Sequence, residues 1–318
     1  MSEYEDAVTT VSRLLRKNLR VIKDNGSLAS VNVSGEWQNA DAFKGYDGQV
    51  TVGLAECVER KMDLSGSLRR RMSFLRVNVW ATDTPIGRVM RGKIVEEVNR
   101  VVNQFCSKPN ETLYDLINLG SSQACMAFQG ASEAAPNSSG WTELGDIECQ
   151  QLWYSDDNRC QISKSGSGEY AAVLFKFKVE SRKNVIRKLV LLFEGYGLAS
   201  GGNGVTVKVW SNAGASWVNA RTLGGVEEQA VVLPLVNSLS DYVDADGYVW
   251  LLARTSYASN GISPATLFCD YAACTATVNG ITYLDLSSYR NLDRVDVKPF
   301  IFRTEFALKS WFFENNGE

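Results

Sequence analysis

Apolar residues recur every three to four positions between Tyr4 and about Lys23, at Val8, Val11, Leu14, Leu15, Leu19 and Ile22. This is the spacing of a helix with one buried stripe, and Asn25-Gly26 supplies its stop. The period then shortens to two. Residues 30–34 alternate as a short strand, and a loop rich in Asn, Asp and Gly follows, up to Asp47-Gly48. Residues 49–62 alternate at Val50, Val52 and Leu54, and residues 68–82 at Met72, Phe74, Val77 and Val79. Asp63-Leu64-Ser65-Gly66-Ser67 has turn chemistry, so the two runs predict a long hairpin. Thr84-Pro85 predicts a helix start, with Thr84 as N-cap and Pro85 at the first helical position, where its missing N–H costs nothing. Ile86, Val89, Met90, Ile94, Val98, Val101, Val102 and Phe105 give that helix one apolar face, and Lys108-Pro109-Asn110 ends it. Residues 112–129 read as a short helix followed by a strand.

At residues 130–140 (GASEAAPNSSG) the composition turns to small residues, which marks a linker and a domain boundary. Beyond it, residues 141–154, 170–180, 186–194, 204–211, 215–222, 229–235, 247–255 and 265–278 all read as strands separated by turn residues. That spacing predicts an antiparallel sandwich of jelly-roll type. A polar connection around Leu286-Ser287-Ser288-Tyr289-Arg290-Asn291-Leu292 leads into residues 297–313, which read as one long strand. Such a strand needs a partner sheet, and the first hairpin is the candidate. The expected fold class is therefore an α+β core domain, two helices on an antiparallel sheet, formed by residues 1–130 and 281–318. Into it is inserted an all-β sandwich at residues 137–280.

The chain of 318 residues is 45% hydrophobic and 22% charged with a formal net charge of -3, so no basic field marks a nucleic-acid binder. The acidic start, Met1-Ser2-Glu3-Tyr4-Glu5-Asp6, lacks a signal-peptide pattern, and no apolar run reaches the length of a membrane helix, so a soluble protein made in a cytoplasm is expected. Seven cysteines without a CxxC pair read as buried free thiols. The most restrictive feature is the absence of histidine. It removes the commonest general base and metal ligand and every Ser-His or Cys-His nucleophile, so a non-enzymatic protein is expected.

The order of elements resembles that of a tail terminator of long-tailed viruses, of the lambda type. The likeness lies in GQVTVGLAECVERKMDLSGSLRRRMSFLRVNVWATDTPIGRVMRGKIVEEVNRVV, residues 48–102, and in the closing VKPFIFRTEFALKSWFF. It covers roughly residues 1–120 and 285–318, and the inserted sandwich departs from the family's single small domain. The resemblance implies a virion protein of the neck or tail, a homo-oligomer in a six-fold ring. Its partners would be the tail tube protein and the head-tail connector, with DNA passing through the ring but no sequence-specific reading of it and no membrane. The inserted domain resembles the glycan-binding or decorative sandwiches of phage surface proteins, and a carbohydrate-binding protein for host attachment is the alternative.

Arg69, Arg70 and Arg71, with Arg60 and Lys61 across the hairpin, form the densest basic cluster, read either as a subunit contact or as a solvated tip. Trp141, Trp217 and Tyr248 are candidates for a sugar-stacking platform, against the reading that alternation buries most aromatic residues in a core. Asp241, Asp244 and Asp246 before Gly247 echo a calcium loop but lack its remaining ligands, so a plain turn competes with calcium there, and no other cofactor is expected. Glu194 and Asp270 are an example of acidic residues that a sandwich could pair for glycosidase chemistry, depending on a separation that sequence does not give.

Overall fold

The computed structural model describes residues 3–35, 45–62, 68–82, 87–117, 125–293 and 301–315. The expected hairpin turn at 63–67, the Thr84-Pro85 cap and the start of the closing strand at 297–300 lie outside them. The chain forms two compact units, one of Met1–Glu111 with Asn279–Glu318, the other of Thr112–Val278.

In the first unit, the helix α1 (Ala7–Asn18) starts where Asp6 accepts the backbone N–H of Thr9 at 2.9 Å. The strands β1 (Val31–Ser34), β2 (Gly48–Lys61), β3 (Leu68–Thr82), β15 (Tyr283–Asn291) and β16 (Ile301–Asn315) form one sheet in the order β1-β2-β3-β16-β15. β16 pairs with β3 along its whole length, from Ile301 opposite Thr82 to Asn315 opposite Leu68. Alternate residues of these strands, among them Val50, Val77, Phe306 and Leu308, are buried with Leu14 and Leu15 of α1 and Ile94 and Val98 of α2 (Gly87–Gln104). The stretch read as a polar connection is strand β15, an edge whose exposed side chains hid its apolar positions.

The second unit is a two-sheet sandwich. One sheet runs β11 (Ser216–Leu223), β10 (Val205–Ser211), β13 (Tyr248–Thr255), β8 (Ala172–Lys178), β5 (Cys125–Gly130), β6 (Thr142–Glu143). The other runs β12 (Gln229–Leu235), β9 (Ile186–Leu198), β14 (Ala265–Val278), β4 (Glu111–Asp115), with β7 (Cys160–Lys164) also on β14. Phe175, Phe177, Phe193, Leu251 and Leu267 meet between the sheets as one dry core.

The expected fold class is corrected on these points. Among the described residues the chain is mostly β, 49% strand against 14% helix, with three sheets and three α-helices, and not an α+β core with two helices on a sheet. The sheet of the first unit is not antiparallel throughout, because β1 runs parallel to β2. Residues 112–115 belong to strand β4 rather than to a helix. Residues 141–154 hold only the two-residue β6 and the short helix α3 (Asp146–Gln150) rather than a long strand.

Residues 130–140, read as a linker, lie inside the second unit as a strap on the outer face of its six-stranded sheet. Tyr170 donates its backbone N–H to Ala131 at 2.9 Å, and Trp217 and Trp141 donate their indole N–H groups to the carbonyls of Ala134 and Ala135, each at 3.0 Å. Glu133 anchors the middle, pairing with Lys208 at 2.6 Å and with Arg254. Leu174 and Leu252 are fully buried on this sheet although their side chains point away from the core by strand alternation. The seven cysteines are free; four are buried, Cys106 and Cys149 are half-buried and Cys57 is exposed.

Candidate functional site

At one end of the sandwich, the turn after β8 and the turn before β13 face each other across an open cleft of about 440 Å³. Its polar lining includes Lys178, Arg182, Lys183, Asn184, Asp244 and Asp246. The second turn is held open by Asp244. Its Oδ1 accepts the backbone N–H groups of Asp246 and Tyr248 at 2.9 and 2.8 Å, and its Oδ2 accepts the Trp250 indole N–H at 3.2 Å. Gly247 completes it with φ +82°, where an added Cβ would stand 2.9 Å from the Val179 carbonyl oxygen.

Tyr248 opens β13 directly beside this cleft, opposite Lys178 in the register. Lys176 and Lys178 stand 3.9 and 4.5 Å from the centre of its ring, and Trp250 flanks it at 6.2 Å. Of the three aromatic residues singled out in the sequence, Tyr248 is the one that adjoins residues lining the cleft, Gly247 in the chain and Lys178 in the register. Trp217 packs edge-on against Trp210 and holds the strap, and Trp141 lies against Gly130, where an added Cβ would come within 2.5 Å of its ring. Trp141 and Trp217 bond neighbouring carbonyls of the strap, while Tyr248 lies with Trp250 and the two lysines.

The expected calcium loop does not converge. Asp244 spends its oxygens on the backbone N–H groups of Asp246 and Tyr248 and on the Trp250 indole, while Asp241 and Asp246 are not gathered with it into a cluster of carboxylate ligands among the described residues. The carboxylates that do converge are Glu194, Glu228 and Asp270, each offering one oxygen within 4.8 Å of the others. Sequence reading picked Glu194 and Asp270 as an example of a pair and missed Glu228, which carries no motif.

On the hairpin, Arg71 lies opposite Glu59, Arg70 opposite Arg60 and Arg69 opposite Lys61. Glu59 bonds Arg69 at 2.8 Å and Arg71 at 3.4 Å, which holds its carboxyl below the usual glutamate range. Arg60 and Arg70 share the other face with the exposed Phe313, so the cluster divides by strand alternation rather than acting as one patch.

Residues 122–278, within the sandwich unit, match a family model described as the C-terminal domain of an uncharacterized protein. A search of curated proteins finds no match. Among solved structures, a family 11 carbohydrate-binding module from Clostridium thermocellum, in complex with a β-1,3-1,4-mixed-linked tetrasaccharide, is similar at 11% identity over 52% of this chain and 95% of that one, with a TM-score of 0.25. A family 35 carbohydrate-binding module from an environmental isolate is similar at 11% identity over 53% of this chain and 94% of that one, TM-score 0.24. The enzymatically active domain of tailspike protein 4 of bacteriophage CBA120 is similar at 11% identity over 55% of this chain and 20% of that one, TM-score 0.23.

Proposed function

We propose that this is a non-enzymatic binding protein whose sandwich takes up a carbohydrate in the cleft beside Tyr248. The observation that carries the reading is the cleft itself, about 440 Å³ with hydrogen-bonding side chains on both rims, and Tyr248 next in the chain to its lining residue Gly247. That volume falls in the range of small-ligand sites, and a rim of Arg, Lys, Asn and Asp suits a ligand covered in hydroxyl groups better than an apolar one. Tyr248, with Lys176 and Lys178 fixing its ring, supplies the stacking surface. The test is a glycan array followed by calorimetry on the best ligand. Tyr248→Ala and Asn184→Ala should each weaken binding about tenfold or more, ~1.4 kcal/mol; an array without hits, or affinity unchanged in both variants, rejects the reading.

A second reading concerns the first unit, which we propose as the self-assembling part, in keeping with the tail-terminator resemblance. The observation in its favour is a half-exposed aromatic strip of Tyr283, Trp311 and Phe313, on the sheet face opposite the core residues Phe306 and Leu308. Electron microscopy of the purified protein, alone and mixed with tail tubes, tests it; the absence of rings in both would reject it.

A further inference from the structure

On the outer face of the sandwich sheet β12-β9-β14-β4, three strands bring three carboxylates to one point. Glu194 lies on β9 and points away from the core, in alternation with the buried Phe193. Glu228 immediately precedes β12, whose first residue Gln229 pairs with Gly195. Asp270 is the unpaired residue of a bulge in β14, between Cys269 opposite Gly195 and Tyr271 opposite Glu194.

Asp270 is 1% exposed and neither of its carboxylate oxygens has a hydrogen-bond partner; Glu194 Oε2 is likewise buried without one. The backbone N–H of Asp156 lies near enough to Asp270 to ease its charge slightly, without the geometry of a hydrogen bond. Among the described residues, Arg159 is the cation bonded to the cluster, and it reaches only Glu228, at 2.6 Å. Burial first, then the charges of Glu228, Asp156 and Glu194, push the Asp270 carboxyl above its usual range. A covered carboxylate with both oxygens idle and two more carboxylates facing it is costly for a protein unless something positive sits among them.

We propose that Glu194, Glu228 and Asp270 form a calcium-binding site on this sheet face. The ligand oxygens lie within 4.8 Å of one another, a span that a cation bonded at about 2.4 Å bridges, and calcium takes carboxylate oxygens in irregular geometry. The donor set is all oxygen, which disfavours zinc and the softer metals. The ion joins β9, β12 and β14 through side chains, so its effect is to lock the sheet at its bulge.

The test uses the full chain after EDTA treatment and gel filtration, titrated with CaCl2 by calorimetry and melted with and without the ion. One saturable site and a rise in melting temperature are expected. Asp270→Asn and Glu228→Gln should each weaken calcium binding more than roughly tenfold, and MgCl2 at equal concentration should bind more weakly. Glu228 sits at the half-buried edge of the site, so its variant remains informative if the Asp270 variant does not fold. The absence of both binding heat and a melting shift in the unaltered protein would overturn the proposal, the carboxylates then sharing protons instead. So would a calcium response that survives in both variants, which would place the ion elsewhere.

Discussion

Gly195 makes room for the bulge that carries Asp270. Its φ is +155°, and a Cβ there would stand 2.2 Å from the carbonyl oxygen of Phe268, two residues before Asp270 on the paired strand. Backbone cannot yield as a flexible side chain can, so any side chain at this position must push β14 away from β9. Gly195→Ala should therefore destabilise the sandwich by about 1–3 kcal/mol and move Asp270 out of the carboxylate cluster. Urea denaturation reads the first effect and calcium calorimetry the second; a variant of unchanged stability would show that the bulge does not depend on this glycine.

The same aspartate predicts a pH dependence for the metal-free protein. Its carboxyl is raised in the folded state, by burial and by Glu228, so the fold holds this proton more tightly than the unfolded chain does. The stability contributed by that proton is full below the ordinary aspartate pKa and is lost as pH rises through the raised value. In EDTA, stability attributable to this group should fall as pH rises above the ordinary aspartate range, and Asp270→Asn should flatten that slope. Saturating calcium should reverse it, because the ion favours the ionised form.

How much of this was legible in the sequence depends on where each signal resides. β16 could be read because its alternation is long and its apolar face is buried, and β14 because its apolar run is bounded by turns. β15 could not, since a half-exposed edge strand shows a mostly polar pattern. The strap at residues 130–140 looked like a linker because small residues serve both purposes; what distinguishes the two is Glu133, whose partners Lys208 and Arg254 are 75 and 121 residues away. Tyr248 and Asp270 could be named, but the convergence of Glu228 with Asp270 arises from strand order β12-β9-β14, which no local pattern encodes.

Glu133 supplies a prediction of opposite sign to Asp270. Burial alone would raise its carboxyl, but hydrogen bonds from Lys208 and Arg254 outweigh burial and hold it below the usual range. Its contribution to stability is present above the ordinary glutamate pKa and is lost as pH falls through the lowered value. Glu133→Gln should cost about 2 kcal/mol at neutral pH, as expected for charge-assisted hydrogen bonds, and less in acid. Denaturation curves of the variant and the unaltered protein should converge as pH drops; parallel curves would mean that the strap is held by its backbone bonds instead.

In the first unit, Glu5 and Arg13 form an ion pair with side chains 3% and 4% exposed, and Glu5 also accepts the Thr10 hydroxyl at 2.8 Å. Removing one member leaves the other charged and covered. Glu5→Ala should destabilise this unit by about 3–5 kcal/mol, while replacing the pair together with apolar residues of similar volume should cost much less. A double-mutant cycle followed by thermal melting measures the difference, and additive single effects would argue against coupling.

The strongest separation of the two units comes from cutting the chain. β16 pairs with both β3 and β15, and Ile281, Leu284, Phe306 and Leu308 are fully buried with the residues of α1 and α2. Deleting residues 281–318 strips β3 of one neighbour along its full length and opens that core, so residues 1–111 should lose cooperative unfolding and exchange their amides rapidly. Residues 112–278 carry both sheets of the sandwich and its own core, with none of the residues of the first unit's core among them. Expressed alone, that fragment should melt in a single transition and keep the carboxylates of β9, β12 and β14 together. Hydrogen exchange on the truncated chain and calorimetry on the fragment check the two halves of the statement independently. A folded 1–111 region in the truncated protein would mean that β1, β2 and β3 suffice for its core, which the pairing of β16 with all of β3 argues against.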